Sequence, residues 1–182
     1  YAQTWGGCYA KSITISLDNA GMAKVSIDWD AMNHSTAVAA TSPSAIVGGS
    51  SFRFAGAALT MGGTVVAPTT TALASGGTAT TNVRDFTLTI DQGLSSGRFN
   101  IGNSGLKSAA LPGKVAVTGS MNIEYTDNAV RDAILANTET PLVLTLTSAE
   151  ALSTGYSQFE IYLPASFLTG SMPQATGDLP MI

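Results

Sequence analysis

Chemistry in this sequence would have to start from very few residues. Asp18 and Asp91 close two similar stretches, "SITISLD" and "DFTLTID". Two carboxylates held together can serve as acid and base in glycoside hydrolysis. Asp28 and Asp30 flank Trp29, so on an extended strand both project from one side and could face a hard cation. His34 is the single histidine and Cys8 the single cysteine.

None of these builds a site by spacing. A Ser-His-Asp triad or a histidine metal site would rest on His34 alone, and a turn residue is the simpler expectation for it. Asn33-His34-Ser35 matches a glycosylation acceptor, which matters only in a eukaryotic secreted chain. Asp28 and Asp30 have no further oxygen cluster and read as solvated strand positions. One cysteine forms no internal disulfide and no thiolate cluster, so Cys8 is expected as a small buried residue. No phosphate-cradling glycine loop is present. The expectation is a protein that is not an enzyme and needs no cofactor or metal.

The elements that must position these residues are strands. Alternation places Ile13, Ile15 and Leu17 on one face, and Ser12, Thr14 and Ser16 on the other. Val25, Ile27 and Trp29 repeat the pattern, as do Phe52 with Phe54, Phe86 with Leu88 and Ile90, and Phe99 with Ile101. Val115, Val117, Met121, Ile123 and Tyr125 continue it, then Leu142, Leu144 and Leu146, then Phe159, Ile161 and Leu163. The aromatic residues mostly fall in this core pattern. The fold class predicted is mainly β, a sandwich or barrel. One flanking helix is predicted over 127–137, with Thr126 or Asp127 as N-cap and Asn137 at its end. Its stripe of Ala129, Val130, Ala133, Ile134 and Ala136 reads as core. Residues 61–82, rich in Gly, Thr, Ala and Ser, read as a long exposed loop or hairpin arm.

The two similar stretches extend into hairpins, "KSITISLDNAGMAKVSI" and "RDFTLTIDQGLSSGRFNI". Ile13, Ile15 and Leu17 match Phe86, Leu88 and Ile90, while Lys24-Val25-Ser26-Ile27 matches Arg98-Phe99-Asn100-Ile101. Asp18, Asn19, Gly21, Asp91, Gln92 and Gly93 are then turn residues, with the two glycines supplying positive φ. The expectation is one domain over 1–182, built from similar halves at 10–60 and 83–165.

Bulk composition narrows the partners. Of 182 residues, 45% are hydrophobic and only 11% charged, so little charge keeps copies apart. Net charge is −4, with eight Lys and Arg, so no basic patch grips nucleic acid. No run reaches the roughly 18 apolar residues of a spanning helix, and no membrane partner is expected. The chain does not begin with Met and stops at "GDLPMI", as a processed chain or part of a longer product would. Candidate contacts between copies are Met61, Val65, Val66, Pro68 and Leu73 in the arm, and Phe167, Leu168 and Met172 in "PASFLTGSMPQ".

"FTLTIDQGL", "RFNIG", "PGKVAVTGSMNIEYTD" and "FEIYLPASFLTGSMPQ" resemble the tail tube proteins of long, non-contractile-tailed bacteriophages, from Val83 to Pro180. "KSITISLDNAGMAKVSIDWDAM" resembles the earlier hairpin of the same proteins. The resemblance implies a virion subunit that forms hexameric rings stacked into a hollow tube. Such a tube encloses the tape measure protein, meets tail-tip and terminator proteins, and conducts DNA without specific binding. Alternatives are a ring protein of a secretion or contractile injection system, and a virion β-sandwich that binds carbohydrate or decorates the particle. A lumen of acidic and small polar residues is expected, since positive walls would hold phosphates.

Overall fold

The computed structural model describes residues 2–39, 51–126, 128–153 and 155–170. In chain order the elements are β1 (Ala2–Gly6), β2 (Tyr9–Leu17), β3 (Ala23–Asp30), β4 (Asn33–Val38), β5 (Phe52–Met61), β6 (Val65–Val66), β7 (Ser75–Gly76), β8 (Ala79–Thr80), β9 (Val83–Asp91), β10 (Ala116–Ile123), the helix α1 (Ala129–Ala136), β11 (Glu139–Leu152) and β12 (Gly155–Phe167). They form two four-stranded sheets, ordered β10-β9-β2-β3 and β12-β11-β5-β8, and two ribbons, β1-β4 and β6-β7. The fold is mainly β and sandwich-like, with a single helix among the described residues. Neither large sheet closes on itself, which removes the barrel alternative.

Two compact units interleave along the chain. One is built on β1, β4, most of β2 and β3, and segment 87–120. The other takes 17–23, β5 to β8, the start of β9, the end of β10, α1, β11 and β12.

In the β10-β9-β2-β3 sheet the two matched strands of the repeat, β2 and β9, are neighbours. The Thr14 and Thr89 hydroxyls lie 3.2 Å apart, and the Gln92 N–H donates to the Lys11 carbonyl at 3.0 Å. Both contacts fit one antiparallel register, in which Ile15 faces Leu88. Leu17, Phe86 and Leu88 are buried on the apolar face, while Ile13, Ile15 and Ile90 are half-buried. The outer strands differ from expectation: Val25, Ile27 and Trp29 share that face by alternation yet are exposed, Trp29 at 62%. They stand on β3, the last strand in the order, and no strand among the described residues pairs with its outer side.

The second copy of the repeat is not a hairpin of the predicted kind. "RFNI" does not follow β9 as a strand: Phe99 makes an isolated bridge to Lys107 and is 65% exposed, and Ile101 lies in a turn. Asp91 Oδ1 accepts the Gly93 N–H at 2.8 Å, and Gly93 takes φ 57°, which turns the chain out of the strand. Bridges Ser95–Leu111 and Phe99–Lys107 then fold 92–115 on itself, and β10 returns to pair with β9.

The β12-β11-β5-β8 sheet carries most of the buried core. Leu144 pairs with Leu59 on one side and Ile161 on the other, and all three are buried. Leu142 and Leu146 extend this row along β11, Leu146 at 1% exposed. Each such leucine contributes about 1.5–3 kcal/mol of burial. Phe52 and Phe159 meet at 6.3 Å between ring centroids.

The helix is shorter than predicted. Its N-cap is Asn128, which makes no side-chain cap bond, so Thr126 is not the cap; Asp127 lies outside the described residues. Asn137 ends it as expected, with φ 48° and its N–H directed to the Ala133 and Ile134 carbonyls. No helix residue is buried, so its apolar stripe is not core.

Candidate assembly surfaces

Most of the turn contacts run through backbone, the Asp91 side chain on Gly93 excepted. The Gly21 N–H donates to the Asp18 carbonyl at 3.0 Å, and the Gly21 carbonyl accepts the Phe54 N–H at 2.9 Å. The left-handed residue of this turn is Ala20, at φ 58°, rather than Gly21. Asn19 is exposed within the turn. In the other copy the Gln92 carbonyl accepts the Gly113 N–H at 3.3 Å. The antiparallel register puts Asp18 and Asp91 at opposite ends of the β2–β9 pair, so they cannot act as paired acids.

The remaining polar candidates are also engaged in structure. His34 is in β4, not a turn, and its ring packs against Trp5 with centroids 4.4 Å apart and the planes tilted by 34°. Cys8 is exposed rather than buried, its Sγ 3.5 Å from the Trp5 carbonyl. Trp5, Tyr9 and Tyr156 are exposed too, against the expectation of core aromatics. Asp28 accepts the Ser12 hydroxyl at 3.0 Å. Asp30 forms an ion pair with Lys107, whose side chains are 15% and 14% exposed, so Asp30 is not a solvated strand position. That pair ties loop 92–115 to the end of β3. It borders an open hollow of about 330 Å³ lined by Met32, Asn33, Asn103, Leu106 and Lys107. The one charged side chain lining it is the paired Lys107. Among the described residues no group of three or more His, Cys, Asp or Glu could hold a metal ion. On the helix, the hydrogen bond from Arg131 to Asp132 raises the guanidinium above its usual value and keeps it charged.

Three surfaces remain. The first is the arm, residues 62–82. Val65 pairs with Gly76 and Val66 with Ser75, so it is a hairpin arm as predicted. Val66, Pro68 and Leu73 are exposed, Val65 is half-buried, and Met61 is half-buried where β5 pairs with Leu142. The second surface is the end of β12, where Phe167 is exposed and Leu168 half-buried; Met172 lies outside the described residues. The third escaped the sequence reading. Edge strands β3 and β10 carry exposed Val25, Ile27 and Trp29 on one side and Val117 on the other, on the same face as Leu88. The opposite face bears Ser12, Thr14, Asp28, Asp85, Thr89 and Asn122, with Asn122 donating to Asp85 at 2.6 Å.

The description "phage tail tube protein" belongs to a family model that matches residues 1–180. The chain belongs to that family. Among curated proteins none matches it. A phage tail tube protein has a structural role, and its place is the virion tail. Family membership also implies that this tail tube protein self-assembles into a tube. Surfaces left apolar in a single copy are therefore the natural place to look for its joints.

Proposed function

We propose that this chain closes with copies of itself into rings, hexameric as the resemblance implies. The rings stack into a hollow tube that encloses the tape measure protein and conducts the genome during ejection. The observation that carries the reading is the β10-β9-β2-β3 sheet. Among the described residues no further strand pairs with β10 or β3, and exposed apolar residues line these outer strands on one face. A neighbouring copy that continues the sheet would pair the free strand edges and cover Val25, Ile27, Trp29 and Val117. Such head-to-tail joints close into rings when the rotation allows.

The opposite face would then line the lumen. Its carboxylates, Asp28 and Asp85, sit among Ser and Thr hydroxyls, with Lys24 on the same face by alternation, so the balance of charge favours repelling phosphates over holding them. The arm and the Phe167 end of β12 are free to meet copies above, below or beside, and the tail-tip and terminator proteins at the tube ends. The turn residues hold hairpin geometry in this scheme, the whole of 1–182 acts as one subunit, and no catalytic step is required. Negative-stain microscopy of the purified chain tests the reading: tubes or rings of uniform bore are expected, and a persistent monomer at high concentration would overturn it.

A further inference from the structure

The arm lies over one face of the β12-β11-β5-β8 sheet, and its seat there is poorly matched. Register places Thr60, Val143 and Tyr162 in one row, and Ala58, Thr145 and Glu160 in the next, all on the face opposite Leu142, Leu144 and Leu146. The arm crosses this face. Gly77 sits so close to Thr60 that a Cβ on it would stand 2.9 Å from Thr60 Oγ1, and Ala74 reaches Glu160 on β12. Val143 is buried there.

Among the described residues one side-chain bond holds the far side of the arm: the Ala74 N–H donates to Glu160 Oε1 at 2.8 Å. The other carboxylate oxygen, Oε2, is sequestered with no partner among the described residues, and so is Thr60 Oγ1. Meanwhile the arm turns its own apolar side chains outward, Val66 at 60% exposed and Leu73 at 43%. A seat that buries polar atoms without partners and leaves apolar ones in water is the wrong way round for a final packing. Such local conflict marks elements with a second arrangement available.

The geometry points to Glu160 as a clasp that holds the arm against its own sheet in the free subunit and releases it on assembly. Lifting the arm frees the Glu160 carboxylate and the Thr60 hydroxyl to meet water. It also lets Val66 and Leu73 bury against a second copy. The inference rests on the tube reading above for its second half only, since the clasp itself is a property of one chain.

Two measurements decide it. In the monomer, hydrogen exchange of the Ala74 amide and of residues 67–78 is compared between the wild type and Glu160→Ala. Removing the acceptor should speed exchange roughly tenfold or more; equal rates overturn the clasp. In a Cys8→Ser background, Ala74→Cys and Glu160→Cys are joined by a short cleavable dithiol linker. The tethered chain, its fold checked by circular dichroism, should fail to extend tubes and recover when the linker is cut. Growth at the untethered rate overturns the release step. If the wild type itself never forms tubes, the tube reading fails and the release step with it, while the exchange result still decides the clasp.

Discussion

Thr14 and Thr89 share a hydrogen bond between their hydroxyls, 3.2 Å apart, at the seam where two matched strands of the sequence lie side by side. The pair is part-buried, so each hydroxyl depends on the other. Thr14→Val and Thr89→Val should each cost about 1 kcal/mol, because each leaves one hydroxyl without its partner. The double variant should cost less than the two together. A urea double-mutant cycle measures this, and strict additivity would deny that the hydroxyls are coupled.

Ile27→Lys should leave the subunit folded and prevent assembly. Ile27 is on an edge strand and exposed, where substitutions ordinarily change stability by about 0.5 kcal/mol or less. An ammonium buried in the joint between sheets would have no partner. Thermal melting should be unchanged while sedimentation shows monomer only. Normal tubes from this variant would remove the β3 edge from the joint.

Gly56→Ala should destabilise by about 1–3 kcal/mol. A Cβ at this position would stand 2.3 Å from the Thr147 carbonyl oxygen on β11, a backbone atom that cannot rotate away. Denaturant melting checks it. A neutral result would mean that β5 shifts against β11 more freely than their pairing suggests.

Lys107→Met should loosen loop 92–115. It leaves Asp30, 15% exposed, without its counter-charge, a loss of about 1–3 kcal/mol after allowance for solvent access. Adding Asp30→Asn should restore part of that loss. Hydrogen exchange across 92–115 together with thermal melting reads both variants, and identical profiles would make the pair dispensable.

Much of the architecture was legible because strand alternation is a local property. Leu142, Leu144 and Leu146 fall on one face through the pleat alone, and all three are buried in the structure. The hairpin arm and Asn137 at the helix end were legible for the same reason, since composition and terminal residues act within a few positions. Pairing partners were not. "RFNI" carries as good a strand pattern as "KVSI", yet β9 pairs with β10, because Asp91 and Gly93 turn the chain away first. Burial was misread at Trp29, Val25, Ile27 and Cys8, since alternation says which face a side chain joins and nothing about what covers that face.

By itself the sequence determined that the protein would be built of strands and that two copies of one strand pattern recur. These follow from residue types and from spacings of two or four positions. Only the tertiary structure decided that the matched strands lie together in the middle of one sheet. It alone brought Lys107 to Asp30 and carried the Ala74 N–H, 86 residues along the chain, to Glu160. Contacts over such distances depend on how whole sheets and loops close, and no local pattern encodes them.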